Sequence, residues 1–164
     1  SVVNAVYTYE TKSLKEKMAY RAIVNMLGSS GMLMHKTLRD EQGIVYTASA
    51  SYSKTLDIFI MSAIIDAKNL DKALEGFDMV LKKLDKKTIE ELLVKIKEEV
   101  DLAVYVFDES KWNVFFEFYD VAFGLNEPKE MREEAIKSLT VEDIEVALSK
   151  MKRVTVHFYE GAKK

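Results

Sequence analysis

Several residue types are scarce or absent in this sequence. Its 164 residues include no cysteine, one proline, six glycines and two histidines. Without cysteine, the chain forms no disulfide and offers no thiolate as a nucleophile or metal ligand. No apolar run approaches the roughly 20 residues that a membrane-spanning helix needs. Disulfide scaffolds, cysteine chemistry and membrane spans are therefore excluded from the interpretation.

The balance of charges also excludes one class of partner. The chain carries 24 Lys and Arg against 27 Asp and Glu, a net charge of −3. Such a balance provides no basic surface for nucleic acid. A hydrophobic content of 48% with 31% charged residues is typical of a soluble globular domain. Lysine and glutamate dominate the charges and Gln42 is the only glutamine, a composition that favours a thermophilic source.

The length predicts a single domain over residues 1–164. The chain opens on Ser1 and enters an apolar strand at once, with no targeting segment. We therefore expect a cytoplasmic domain that is a fragment or subunit of a larger two-half protein.

Hydrophobic periodicity predicts the elements. Alternating residues indicate strands at 2–10, 44–52, 56–65 and 153–160. Helical spacing indicates helices at 13–27, 32–38, 69–84, 88–107, 109–123, 128–139 and 140–151. Capping boxes are expected at Ser13–Glu16, Thr88–Glu91 and Thr140–Asp143. The apolar run at 56–65 suits a strand covered on both faces. Five aromatic residues at helical spacing are predicted to be core, namely Trp112, Phe115, Phe116, Tyr119 and Phe123. Lys54 and Thr55 turn the second strand into the third, so these two are expected to be antiparallel neighbours. The fold class is α+β, with helices packed on a largely antiparallel sheet of about four strands.

The segment from Gly28 to Tyr52 carries most of the functional signal. Glycines and serines at 28–31 break the first helix, and a short helix at 32–38 follows. Residues Asp40–Gly43 end that helix, since Gly43 can take the positive φ of a C-cap. From Ile44 the period becomes two, which places on one face Tyr46, Ala48, Ala50 and Tyr52.

This segment resembles a known family. Arg39-Asp-Glu-Gln-Gly43-Ile-Val-Tyr46, followed by Thr-Ala-Ser-Ala, is similar to the R-E-x-x-G-L-A-Y run of pitrilysin/insulinase-type zinc peptidases and mitochondrial processing peptidases. The preceding run Ile23–His35 and the helix start Leu139–Ile144 also match that family's pattern. The predicted order of elements is that of one domain of the processing peptidase and insulinase fold.

The resemblance implies a function for the chain. In the family's carboxy-terminal half, the arginine and tyrosine of this run contact substrate at a zinc site built by the other half. By that resemblance Arg39 and Tyr46 act in catalysis, and we assign Gly43 between them to the substrate-binding surface. The zinc ion would lie in a partner domain of the same fold, and the substrate would be a peptide. We expect no cofactor in this chain and no activity when it is alone.

The zinc motif itself is missing. The family's HxxEH places two histidines one helical turn apart with a glutamate base, whereas His35 and His157 are far apart. We interpret His35 as a helix-surface or hydrogen-bonded histidine and His157 as an exposed residue of the last strand.

Simpler readings remain open for the two site residues. Arg39 can pair with Asp40, Glu41 or another surface carboxylate. Tyr46 can be a strand aromatic that packs on Tyr52. At the level of the whole chain, the alternative function is a catalytically inactive structural or interaction subunit of the same fold.

Overall fold

A computed structural model of the chain describes residues 1–28, 32–53, 56–107, 118–119, 122 and 127–161. The strands are β1 (Val2–Thr8), β2 (Val45–Ser53), β3 (Ile58–Ile65) and β4 (Lys152–Tyr159). The helices are α1 (Leu14–Leu27), α2 (Leu33–His35), which continues as a π-helix (Lys36–Glu41), a 3₁₀ turn (Ala67–Asn69), α3 (Leu70–Lys82), α4 (Lys86–Phe107), α5 (Lys129–Lys137) and α6 (Val141–Lys150). The predicted α+β class and order of elements are confirmed.

The four strands form one antiparallel sheet in the order β2-β3-β1-β4. The first strand is central and pairs with β3 from Val2↔Ile64 to Thr8↔Ile58. Its other edge pairs with β4, the last element of the chain. The predicted antiparallel pairing of β2 with β3 is confirmed, while the predicted turn at Lys54–Thr55 lies outside the described residues.

The core lies between one face of the sheet and the helices. Alternate residues of the two central strands point into it and are buried, namely Val3, Ala5, Tyr7, Phe59, Met61, Ala63 and Ile65. The same core takes the apolar stripes of the helices, including Tyr20, Ile23, Leu38, Phe77, Val80, Ile89 and Ile144. This alternation is the pattern of a sheet with helices on one side.

The other face of β3 is open, so the prediction of a strand covered on both faces is wrong. Ile58, Ile60 and Ser62 are half-buried and Ile64 is 43% exposed. The continuous apolar run reflects the central position of β3 instead. Cross-strand neighbours such as Val6 opposite Ile60 shield that face in part.

Three helices, α1, α4 and α6, begin at a capping side chain, and the cap of α4 is not the predicted residue. Thr140 and Asp143 form the predicted capping box of α6. Ser13 caps α1 by accepting the Glu16 N–H, although the Glu16 carboxylate accepts the N–H of Lys12 rather than that of Ser13. The box predicted at Thr88 is wrong, because α4 begins earlier and Asp85 accepts the Thr88 N–H at 2.8 Å. That hydrogen bond lowers the pKa of the Asp85 carboxyl.

Two predictions fall mainly on residues outside the described ranges. The helix at 109–123 is one of them, and of its five predicted core aromatics only Tyr119 is described. That side chain is 46% exposed, so it is not a core residue. The break at 28–31 is the other, and there Gly28 closes α1 by donating its N–H to the Val24 carbonyl.

Candidate functional site

The backbone around Arg39 is helical where a turn was predicted. The helix that begins at Leu33 changes at Lys36 into a π-helix and continues to Glu41. Arg39 and Asp40 therefore lie inside a widened helical turn, not after its end. The π-helix buries Thr37 and Leu38 and leaves Arg39 exposed. Isolated π-turns of this kind occur frequently at functional sites.

Gly43 ends the π-helix as predicted. Its φ is +64°, the left-handed conformation that glycine adopts without a Cβ clash. The Gly43 N–H donates to the Arg39 carbonyl and the Ile44 N–H donates to the Leu38 carbonyl, each at 3.0 Å. A Cβ at Gly43 would meet nothing within 4 Å, so the backbone conformation and not space demands glycine here. The turn separates the arginine of the π-helix from the tyrosine of β2.

Helix α3 supports the segment from below. A Cβ at Gly76 would lie 2.5 Å from Cδ2 of Leu38, so the glycine permits the two helices to approach closely. Beside this contact, Lys83 donates to the Thr37 hydroxyl at 3.0 Å and pairs with Glu41 at 2.6 Å. The buried side of the π-helix is thus fixed by packing and by a lysine, while its outer side stays accessible.

Arg39 binds a histidine rather than a carboxylate. Its Nη1 lies 3.0 Å from Nε2 of His35, one turn earlier. The two acidic neighbours that the simpler reading offered have other contacts, since Glu41 pairs with Lys83 and Asp40 lies 3.6 Å from Nδ1 of His35. His35 is therefore the hydrogen-bonded surface histidine that the sequence suggested. Its partner is Arg39, the candidate substrate-binding residue.

Tyr46 lies at a β-bulge. Val45 opposes Ile65 and Thr47 opposes Ile64, so Tyr46 is the extra residue between them. The bulge takes Tyr46 off the face that the alternation predicted, and Val45 occupies the buried place instead. Tyr46 is 61% exposed as a result. Bulges commonly re-aim a side chain in this way.

The length of the strand between them excludes the alternative in which Tyr46 packs on Tyr52. Tyr52 is six residues further along the same strand, which at about 3.3 Å per residue places the two rings about 20 Å apart. That alternative is wrong. The Tyr46 hydroxyl instead donates to Oδ1 of Asp66 at 2.9 Å. This hydrogen bond, reinforced by the negative charge of Asp66, raises the pKa of Tyr46. A phenol is protonated at neutral pH, and this one donates its single proton to Asp66.

Sequence reasoning did not find the partners of the two site residues. His35 could have been found as a helical neighbour of Arg39, because it is four residues earlier. Asp66 gave no such signal, since it lies 20 residues from Tyr46 and reaches it only through the pairing of β2 with β3.

The described part of the chain offers no metal centre. Within it, no group of three His, Cys, Asp or Glu side chains is placed to hold a metal ion. His157 is exposed on β4, and His35 is used by Arg39. Structural and catalytic zinc sites both need at least three protein ligands. Over the same residues, no helix is both long enough and apolar enough to cross a bilayer.

We expect the isolated chain to hold no stoichiometric zinc after dialysis against a weak chelator, because its described residues include no set of three metal ligands. Metal analysis by mass spectrometry checks this, with an HxxEH-bearing homologue as the positive control. A tightly held zinc at roughly one ion per chain would contradict the expectation.

A cleft among the described residues lies away from these side chains. It has a volume of about 400 Å³ and opens between the start of α1 and α6, away from Arg39 and Tyr46. Two ion pairs line it, Lys15 with Asp143 at 2.7 Å and Lys150 with Glu16 at 2.8 Å. This is the chemistry of a solvated helix junction, and we assign it no function.

Comparisons with solved structures agree with this fold. A conserved protein from Enterococcus faecalis superposes with a TM-score of 0.73 and 17% identity, over 99% of this chain and 40% of that one. A protease from Helicobacter pylori gives a TM-score of 0.71 and 22% identity, over 94% of this chain and 39% of that one. The chain thus spans about two fifths of the length of both proteins.

A third solved structure has the size of this chain. It is the inactive peptidase domain of a protein from Bordetella parapertussis, with a TM-score of 0.64 and 15% identity, over 96% of this chain and 93% of that one. At these identities the likeness establishes the fold alone. No curated protein sequence matches the chain.

The sequence itself also matches a family. The profile of the peptidase M16 inactive domain matches residues 2–100, which include the π-helix, Gly43 and the whole of β2 and β3. This match covers more than half of the chain and confirms the resemblance to zinc metallopeptidases. The chain belongs to the peptidase M16 family, as an inactive domain of its zinc-protease-like proteins.

Proposed function

We propose that this chain is the non-zinc-binding half of a zinc metallopeptidase. In this role it closes a chamber over a peptide and lends Arg39 and Tyr46 to the substrate or transition state at a partner domain's zinc site. Gly43 lies between them on the substrate-binding surface. The observation that carries the proposal is the exposure of Arg39 and Tyr46 on a segment that the buried Leu38 and Val45 anchor in the core.

The chemistry of the two side chains suits that role. An arginine presents planar N–H donors that match a peptide carbonyl or a carboxylate. A protonated phenol can donate to an oxygen on which negative charge develops. The hydrogen bond to Asp66 favours the protonated form of Tyr46. Arg39 therefore has N–H donors to spare, whereas Tyr46 can donate to substrate only when its single proton leaves Asp66.

The same chemistry explains why a partner is needed. Two donors can polarise a peptide, but they do not generate a nucleophilic water without a metal or a general base. The described residues hold no group of three metal ligands. The metal and the base would therefore belong to a partner domain of the same fold. The relatives of greater length leave room for such a domain, because this chain covers only about two fifths of them.

One observation favours the structural alternative. Both side chains already have a partner inside the chain, His35 for Arg39 and Asp66 for Tyr46. A structural or interaction subunit would keep these contacts permanently and would have no use for substrate. The two functions differ in what happens when the side chains are removed in the presence of the partner.

We expect the chain to associate with an HxxEH-bearing half from the same genome at micromolar concentration or below, and to raise its peptidase activity. Neither half alone should cleave a peptide efficiently, because each lacks part of the site. Analytical ultracentrifugation measures association, and hydrolysis of a fluorogenic peptide measures activity.

An unrelated domain of equal size serves as the control for crowding and surface effects. If the two halves do not bind, and the zinc half gains no activity from this chain, the shared site is rejected. Binding without any gain in activity would favour the structural subunit.

A further inference from the structure

The contact between His35 and Arg39 determines which ring nitrogen of the histidine acts as the acceptor. The nitrogens of a guanidinium can only donate hydrogen bonds, because the group has no acceptor. Nε2 of His35, at 3.0 Å from Nη1 of Arg39, must therefore accept. A neutral imidazole that accepts at Nε2 carries its proton on Nδ1. That nitrogen faces Oδ2 of Asp40 at 3.6 Å, where a carboxylate favours the N–H.

The π-helix is what brings three residues together. In an α-helix, the residue four positions later shares a face with His35 and the residue five positions later does not. A π-turn closes with hydrogen bonds over five residues and widens the helix, so both positions can lie on one side. Arg39 and Asp40 occupy these two positions and contact opposite nitrogens of the same ring. This arrangement gives the π-turn a function that an α-helix would not supply.

Among the described residues, the charged groups in contact with His35 are Arg39 and Asp40. On the π-helix, Glu41 is held by Lys83 at the end of α3, and Lys36 is exposed. The charged side chains of α1 lie at residues 15–17 and 21, and those of α3 lie at residues 71, 72, 75, 78 and 82. Strand β2 contributes no ionisable group except its tyrosines. Of the charged groups on the packed elements, Arg39 and Asp40 contact the ring directly.

We propose that His35 is a positioning residue for Arg39, one that holds the guanidinium by accepting a hydrogen bond only while the imidazole is neutral. The proposal rests on the substrate role proposed above for Arg39. The bond engages one Nη and leaves the other side of the guanidinium available to a peptide. Protonation of Nε2 removes the acceptor and sets two cations against each other, so Arg39 is released.

Two substitutions at one position separate positioning from packing. His35→Gln keeps a side-chain acceptor that does not titrate, whereas His35→Leu keeps bulk without an acceptor. Nitrogen-15 NMR of the arginine side chains in the isolated chain reads the hydrogen bond, and the Arg39→Lys spectrum assigns the signal.

In the wild type we expect a distinct Arg39 guanidinium signal at about pH 8 that merges with solvent-averaged arginines at about pH 5. His35→Gln should keep the signal at both values, and His35→Leu should lose it at both. The proposal would be overturned if the wild-type Arg39 signal did not change with pH, or if the signal in His35→Gln changed with pH as in the wild type.

Activity of the assembled peptidase gives the second measurement. The ratio of kcat/KM for wild type to that for His35→Gln cancels the titration of the partner's own site. We expect this ratio to fall about threefold to tenfold between about pH 8 and pH 5.5, with His35→Leu impaired at both. A flat ratio would overturn the proposal. Failure of the proposed function is distinguishable, because it appears as an Arg39→Ala variant with full activity while the NMR response persists.

Discussion

Arg39→Ala is expected to lower kcat of the assembled peptidase about tenfold to a thousandfold, the loss that follows from removing one transition-state donor. Arg39 is exposed on the outer side of the π-helix, so its removal opens no cavity. The melting temperature of the isolated chain should therefore change little, as is usual for an exposed substitution. Steady-state kinetics measure kcat, and thermal denaturation measures the melting temperature.

Two neighbouring variants control for charge and for geometry. Lys36→Ala removes one positive charge from the same π-helix and should leave kcat nearly unchanged. Arg39→Lys keeps the charge but loses the planar donor pair, so its activity should stay close to that of Arg39→Ala. A full recovery by lysine would mean that charge alone is sensed there.

Tyr46→Phe tests the second donor in the same assay and should lower kcat on the same scale. Tyr159→Phe is the matched control. Both tyrosines are 61% exposed, and they lie on β2 and β4 at opposite edges of the sheet. If Arg39→Ala and Tyr46→Phe both retain full activity with the partner, the chain is a structural subunit. A fall in melting temperature without loss of activity leads to the same conclusion.

Leu38→Ala is expected to reduce the free energy of unfolding by about 2–5 kcal/mol, the range for truncating a buried leucine. Leu38 is fully buried and packs against Gly76 of α3. Its loss leaves a cavity beneath the π-helix, where the surrounding helices and strand cannot close completely. Urea denaturation followed by circular dichroism measures the change, with the exposed Leu56→Ala as a control of small expected effect.

A double-mutant cycle tests whether the contact between Leu38 and Gly76 contributes to this loss of stability. Gly76→Ala in the wild type places a methyl group 2.5 Å from Leu38 Cδ2 and so forces a displacement. In the Leu38→Ala background the obstructing atom is gone and the methyl group fills part of the cavity. The gain in helix propensity from glycine to alanine is the same in both backgrounds and cancels. We expect a coupling energy of about 1 kcal/mol or more. Strict additivity would contradict the packing described here.

Much of the fold could be predicted because its signals are local. The alternation in β1 and the helical stripe of α1 follow from which residues must be buried. The Ser13 and Thr140 caps were found because a cap is a contact over three residues. Gly43 was placed correctly because a helix end needs a residue that tolerates positive φ. The cap of α4 was misplaced because Asp85 and Thr88 both offer an oxygen, and the sequence alone did not rank them.

The sequence by itself determined the antiparallel α+β fold, the family and the segment that carries Arg39 and Tyr46. Each of these depends on periodicity or on residues within one short run. Only the tertiary structure shows how Tyr46 is held and what supports the π-turn that carries Arg39. The bulge that exposes Tyr46 is set by the pairing of β2 with β3, and Asp66 reaches the phenol through that pairing. The π-turn beneath Arg39 packs on Gly76, which is distant in sequence. Contacts between distant elements leave no periodic trace in a single sequence, because either partner alone is compatible with many neighbours.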